Sequence, residues 1–260
     1  TLRSAVDTML TGKSDGWLIG GESGIGKSRL LDELRHRALT KGVLVLAGQG
    51  IEGGGLPYQL WRNPLRRLVL STELTDLQAG ILKEIVPDIG RLLQRDVPAV
   101  PDLPGAAGKE RLIETIVDAF KRQTAPVLLL LEDLHWTEES LAPIASLLNT
   151  RGDQPLLVIG TYRNDERPDL PETLPDMQVM TLPRLSSEAI ATLSYAMLGA
   201  AGREPEVIDL ISKETEGNAL FMVEVVRTLA ERYPAYVVTG RHLDHVAELL
   251  GVRMPGIGLH

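Results

Sequence analysis

Gly21-Glu22-Ser23-Gly24-Ile25-Gly26-Lys27-Ser28 is the stretch that decides how this chain reads. It meets G-x-x-x-x-G-K-[ST], the phosphate-binding P-loop pattern, at every fixed position. Glycines let successive backbone N–H groups turn inward around a phosphate. A helix starting near Lys27 aims its positive N-terminus at the same anion. Lys27 can reach the β- and γ-phosphates, and the Ser28 hydroxyl can ligate Mg²⁺. With Arg29, which follows directly, these eight residues are the candidate nucleotide contacts. The bland alternative is a glycine-rich turn with a chance lysine. The flanking sequence opposes it, because the motif must follow a strand and open a helix.

Both flanks comply. Trp17-Leu18-Ile19 is a short apolar run ending in glycines and reads as a buried strand. From Lys27 to Leu39 the apolar residues Leu30, Leu31, Leu34 and Ala38 fall on one helical face. Gly42 stops that helix and Val43 to Ala47 is the next strand. Strand, helix and strand within about 30 residues form a βαβ unit and imply a parallel sheet. Upstream, Leu2, Val6 and Leu10 make a helical stripe. Downstream, residues 56 to 95 read as helical and 96 to 105, rich in proline, as a loop. Helix resumes over Lys109 to Arg122, then Val127 to Leu131 is a fully apolar strand suited to a sheet centre. A helix from about Glu138 to Leu148 and a strand over Leu156 to Gly160 follow.

The expected fold is therefore α/β: a three-layer P-loop core with a parallel sheet and a helical insertion, then a small all-α lid. The core is expected over residues 1–168, with the insertion at about 56–107. Prolines at 168, 171, 175 and 183 mark a linker, 169–185, with room for a short edge strand at Val179 to Leu182. Residues 186–260 form the lid, with helices over Ser187–Leu198, Pro205–Glu216 and Leu220–Arg232. The last ~25 residues have no helical or strand periodicity.

Nucleotide chemistry needs carboxylates beside the phosphates. The strand Val127–Leu131 ends in Glu132-Asp133, a Walker B signature. Strand tips of an open parallel sheet face the ligand crevice, so both acids can reach the phosphates. One would hold the Mg²⁺ shell and the other polarise the attacking water. Spacing does not assign the roles; position favours Glu132 for the metal and Asp133 for water. Glu138 and Glu139 read as first-turn helix acids capped by Thr137 rather than as catalysts. Arg163, at the tip of the strand Leu156–Gly160, is placed either to sense a γ-phosphate or simply to sit on the surface. His135, Trp136, Tyr58 and Trp61 read as packing rather than ligand contacts.

Composition closes other routes. The chain has 260 residues, 43% of them hydrophobic and 24% charged, so it can build a core and is not of the disordered class. The net charge of −8 opposes a general nucleic-acid-binding surface. Zero cysteines exclude disulfides, thiolate metal sites and cysteine nucleophiles, and fit a cytoplasmic setting. Five scattered histidines make no zinc pattern, and no apolar run is long enough to span a bilayer. The start, Thr1-Leu2-Arg3, has neither Met nor a signal-peptide pattern and reads as an excised fragment.

The runs "GESGIGKSRLL", "VLLLLEDLHWTEESL", "VIGTYRNDE", "LPRLSSEAI" and "EGNALFMVEVVRTL" occur in one order from Trp17 to Arg232. Together they resemble the AAA-related ATPase domain of STAND signalling proteins. The closer resemblance is to the branch found in large ATP-binding LuxR-type regulators and their cyclase- or kinase-linked relatives. The resemblance implies a P-loop core and helical lid with ATP or ADP and Mg²⁺ between them. It also implies self-association in the ATP state and a closed ADP state. It makes Lys27 and Ser28 phosphate and magnesium contacts, Glu132 and Asp133 the Walker B pair, and Arg163 the sensor arginine. Asn218, in Gly217-Asn218-Ala219-Leu220, occupies the lid motif near the base. Two departures stand out: the family usually has proline where Ala219 stands, and its upstream Gly-Arg-Glu segment has no counterpart before Trp17.

The function expected is a slowly hydrolysing, Mg²⁺-dependent ATPase switch within a larger signalling or transcriptional regulator. Sensor and output domains of the same polypeptide would be its partners, with no membrane and no direct nucleic-acid contact. The alternatives are an ADP-locked scaffold without turnover and a DNA-remodelling AAA machine. The acidic charge opposes the latter.

Overall fold

The computed structural model describes residues 2–53, 55–149 and 155–232. Two compact units emerge: residues 1–22 with 27–181, and residues 23–26 with those from 182 onward.

The first unit is built on a five-stranded, all-parallel sheet of β1 (Asp15–Gly20), β2 (Leu44–Gln49), β3 (Val127–Glu132), β4 (Leu156–Tyr162) and β5 (Gln178–Thr181). The strand order is β2-β3-β4-β1-β5. This is the α/β architecture of the P-loop NTPases. The strands β3 and β4 are buried along almost their whole length, as strands covered by helices on both faces must be. The edge strand β5 is mostly exposed. Asp15 pins that edge: its carboxylate accepts from the Gly16 backbone N–H and the Trp17 indole N–H of β1 and from the Gln178 side chain of β5. The 169–185 stretch expected as a linker thus holds a helical turn and a paired strand, and the first unit runs on to Thr181.

Local chemistry sets the helices. α1 (Leu2–Met9) buries Leu2, Ala5, Val6 and Met9. It ends before Leu10, which is exposed, so the apolar stripe runs through Met9 instead. α2 (Lys27–Thr40) buries Leu31, Leu34 and Ala38. Asp7 of α1 pairs with Arg37 and Lys41 at the far end of α2.

The long helical stretch expected over 56–95 is three short helices: α3 (Gln59–Leu68), α4 (Asp76–Leu82) and α5 (Ile89–Leu93). The breaks are chemical. Thr75 and Gln78 form a capping box that starts α4 afresh, and Gln94 closes α5 in a left-handed conformation. α3 packs directly on β2, where a Cβ at Gly48 would lie 2.1 Å from the Leu60 carbonyl. Trp61 is fully buried, edge-on to Phe120 of α6 (Ala106–Lys121), and donates its indole N–H to the Ser140 carbonyl at 2.9 Å. Beyond β3 the chain makes two 3₁₀ turns, Leu134–Trp136 and Glu139–Leu141, before α7 (Ala142–Asn149). Thr137 therefore caps no helix; its hydroxyl donates to Leu134, and Glu139 pairs with Lys109. The short α8 (Leu170–Thr173) precedes β5.

In the second unit, α9 (Ser187–Leu198), α10 (Pro205–Thr215) and α11 (Ala219–Arg232) gather a small core of Ile190, Leu198, Val207, Ile211, Met222 and Val226. Ser186 caps α9 by accepting the Ala189 N–H. Positions 233–260, the rest of the expected lid, lie outside the described residues.

Candidate functional site

The loop from Gly21 to Gly26 joins β1 to α2. Gly24 and Gly26 have φ of 75° and 105°, a region that residues with a Cβ enter at a cost. At Gly26 a Cβ would meet nothing within 4 Å, so backbone conformation alone demands glycine there. Gly20, just before the loop, is needed for space: a Cβ would lie 2.8 Å from the Tyr162 hydroxyl of β4.

Lys27 opens α2 and is only 8% exposed. Its ammonium folds over the loop and donates to the Gly21 carbonyl at 2.6 Å and the Glu22 carbonyl at 2.8 Å. Burial, aided by the positive charge of Arg163, pulls its pKa below the ordinary lysine value. The negative charges of Asp133, Asp165 and Glu166 act in the opposite sense. A group poised in this way gains by meeting a polyanion.

Ser28, one residue into α2, donates its hydroxyl to Glu132 Oε2 at 2.8 Å. Two residues 104 positions apart in sequence thus meet at one point. Asp133 is turned aside from that contact by its backbone. Its φ of 58° and ψ of 45° are left-handed, a conformation that aspartate tolerates better than most residues. The Asp133 N–H donates to Thr161 Oγ1 of β4, and its carboxylate accepts from Gln49 at the tip of β2 at 3.0 Å. Gly50 permits the turn, because a Cβ there would lie 2.3 Å from the Asp133 carbonyl.

Arg163 follows β4, which lies between β1 and β3 in the sheet. The strand order therefore sets Arg163 beside both the β1 end and the Glu132–Asp133 end of β3. Its guanidinium lies 5.3 Å from the centre of the Trp136 ring and donates to Glu166. The His135 ring lies tilted against Trp136, with ring centres 4.6 Å apart. The His135 side chain is only 1% exposed, and burial pushes its pKa down, favouring the neutral ring.

The geometry fits a magnesium–nucleotide. Ser28 and Glu132 offer two oxygens at one point, and Mg²⁺ is commonly held by one or two carboxylates plus phosphate oxygens and water. Among the described residues no group of three or more His, Asp or Glu gathers as a metal cage, so phosphate and water oxygens would complete the ion's shell.

In the second unit Asn218 is 7% exposed and hydrogen-bonded through both amide heteroatoms. Its Nδ2 donates to the Ser23 carbonyl at 2.9 Å. Its Oδ1 accepts from the Leu220 and Phe221 N–H groups, which makes it the N-cap of α11. Ala219 is then the first helical residue, a position where proline is readily accepted. The proline of the resembling family therefore suits the same helix start.

The AAA ATPase domain family profile matches residues 1–159. The chain belongs to this family. A curated relative, an uncharacterized protein of Rhizobium meliloti (strain 1021), is 29% identical over 160 residues. That match covers 53% of this chain and 15% of the relative's length. Similar solved structures include a Thermotoga maritima RuvB proline-to-glycine mutant, at 12% identity and TM-score 0.52, covering 97% of this chain and 69% of that one. AMPPCP-bound DnaA of Aquifex aeolicus gives 14% and 0.51, covering 92% and 62%. Aeropyrum pernix Orc1 in complex with DNA gives 16% and 0.51, covering 96% and 63%. At these identities the likeness is one of fold.

Among the candidate residues of this AAA domain, Lys27, Ser28, Glu132, Asp133 and Arg163 belong to the first unit, with Gly21 and Glu22. Ile25 is buried, whereas Arg29 is exposed at the surface of α2. Three contributors escaped the sequence reading: Gln49, Thr161 and Glu166. Gln49 had a usable signal, as a polar residue closing an apolar strand, but only strand pairing sets it level with Glu132. No helix among the described residues is long and apolar enough to cross a membrane.

Proposed function

We propose that this AAA domain binds ATP with Mg²⁺ and hydrolyses it slowly, as the regulatory switch of a larger multidomain protein. The Ser28–Glu132 contact supports the reading, because a P-loop hydroxyl 2.8 Å from a strand-end carboxylate offers two oxygens that a magnesium ion could share. Bound there, Mg²⁺ would supply charge neutralisation for the phosphates. Lys27 turns from the loop carbonyls to phosphate oxygens. Asp133, oriented by Gln49, accepts a proton from the attacking water. Arg163 meets the γ-phosphate. The motif runs from Trp17 to Arg232 favour the STAND class, in the LuxR-type regulator branch, with sensor and output domains on the same polypeptide and self-association in the ATP state.

The test is direct titration of ATP and ADP into the Lys27→Ala variant. Two charge-assisted hydrogen bonds at about 1.5–3 kcal/mol each should weaken binding by roughly 10²–10⁴-fold. Unchanged affinity in a folded variant would sink the reading.

A further inference from the structure

Arg163 is not loose at the tip of β4. One of its guanidinium nitrogens donates to Glu166 Oε1, and its Cζ lies over the Trp136 ring, 5.3 Å from the centre. The other carboxylate oxygen, Oε2, lies 3.6 Å from His135 Nε2, just beyond hydrogen-bond reach. His135 is the odd group here. Its side chain is buried to 1% exposure, yet neither ring nitrogen has a hydrogen-bond partner among the described residues. A buried unpaired imidazole costs free energy, so a carboxylate this close is a partner in waiting.

These contacts describe a carboxylate with two claimants. With no γ-phosphate present, Arg163 is the stronger one, because the pair is charge-assisted. A γ-phosphate competes for the same guanidinium and brings negative charge toward Glu166. The carboxylate then has His135 Nε2 within a small rotation, so its release leaves it hydrogen-bonded. ADP offers no γ-phosphate and leaves the Arg163–Glu166 pair intact.

We infer that Glu166 is a positioning residue that holds the sensor arginine in the absence of a γ-phosphate, and thereby sets how strongly this domain prefers ATP over ADP. The inference rests on the proposed role of Arg163 as γ-phosphate sensor. Glu166 acts as a counterweight: ATP must break its pair with Arg163, and ADP need not. Its effect is therefore selective for ATP and works through Arg163.

The experiment measures the dissociation constants of ADP and of a non-hydrolysable ATP analogue, with Mg²⁺, for the intact chain, Glu166→Gln, Arg163→Ala and the double variant. Thermal melting first confirms that each variant is folded. Glu166→Gln should tighten the ATP analogue about three- to fivefold relative to ADP, the scale of a half-exposed ion pair. Arg163→Ala should weaken the ATP analogue and spare ADP. In the Arg163→Ala background the gain from Glu166→Gln should shrink, because Glu166 has no guanidinium left to hold and only its charge remains. An unchanged or reduced ATP preference in Glu166→Gln overturns the inference, and so does an effect of Glu166→Gln that persists at full size in the double variant. If Arg163→Ala leaves the ATP preference untouched, the sensor reading itself fails, and the inference with it.

Discussion

Replacing Trp61 by phenylalanine keeps an aromatic ring in the core and removes one hydrogen bond and part of one side chain. The indole is fully buried, its N–H is 2.9 Å from the Ser140 carbonyl, and its ring meets Phe120 edge-on at 6.1 Å. Ser140 is itself only 4% exposed, so water cannot easily replace the lost donor. Leaving a buried carbonyl unpaired costs about 1–3 kcal/mol. The smaller ring leaves a void of roughly 40 Å³, worth about 1 kcal/mol at ~24 cal/mol per Å³. The edge-on contact with Phe120 is largely kept, since phenylalanine retains a ring there. The sum is about 2–4 kcal/mol, which for a domain of this size lowers Tm by roughly 5–15 °C. Calorimetry of the wild type and Trp61→Phe measures this, with ATP titration below the lower Tm as a companion. A Tm shift under about 2 °C would refute the hydrogen-bond argument. Lost nucleotide affinity at an unchanged Tm would show Trp61 to be a ligand contact rather than core.

Two further predictions concern charge. Asp7 has its pKa lowered by hydrogen bonds from Lys41 and then Arg37, so its ionised form is favoured in the folded state. Its contribution is complete above the unfolded value of 3.8 and fades as pH falls through the lower folded value. Asp7→Asn should therefore lower Tm at neutral pH and have no effect in strong acid; an equal effect at both would exclude the ion pairs as its origin. Under the proposed function, Glu132 and Asp133 should separate by assay. Glu132→Gln should raise the Mg²⁺ concentration for half-maximal hydrolysis about 10–100-fold. Asp133→Asn should cut kcat by roughly 10²–10⁴-fold with little change in Mg²⁺ dependence. The reverse pattern would exchange the two roles.

Which parts were legible follows from the range of the forces involved. The P-loop is a local device, written in two glycines that take positive φ and a lysine one residue on, and it could be read without any partner. The apolar runs of β3 and β4 announced themselves for the same reason, since a strand buried on both faces needs nothing but apolar residues. The breaks between α3, α4 and α5 were harder. Their apolar spacing continues across the joins, and the restart at α4 comes from the capping box at Thr75, while the left-handed Gln94 ends α5. Asn218 is legible only as part of a motif; its hydrogen bonds, which cap α11 and reach the Ser23 carbonyl, belong to the folded chain.

By itself, then, the sequence determined that this protein has a phosphate loop between a strand and a helix, a parallel sheet, and a pair of acids at a strand end. It also excluded thiol chemistry outright, because there is no cysteine. Only the tertiary structure decided the strand order. Near-uniform apolar strands carry no label saying which lies beside which, and that is settled by helices and side chains distant in sequence. Placing β4 between β3 and β1 is what brings Arg163 beside both the Glu132–Asp133 end of β3 and the β1 end. The same long-range packing joins Ser28 to Glu132, Gln49 to Asp133, and Arg163 to Trp136. These contacts depend on register and backbone turn, such as the left-handed Asp133, and both are products of the folded sheet rather than of any local run of residues.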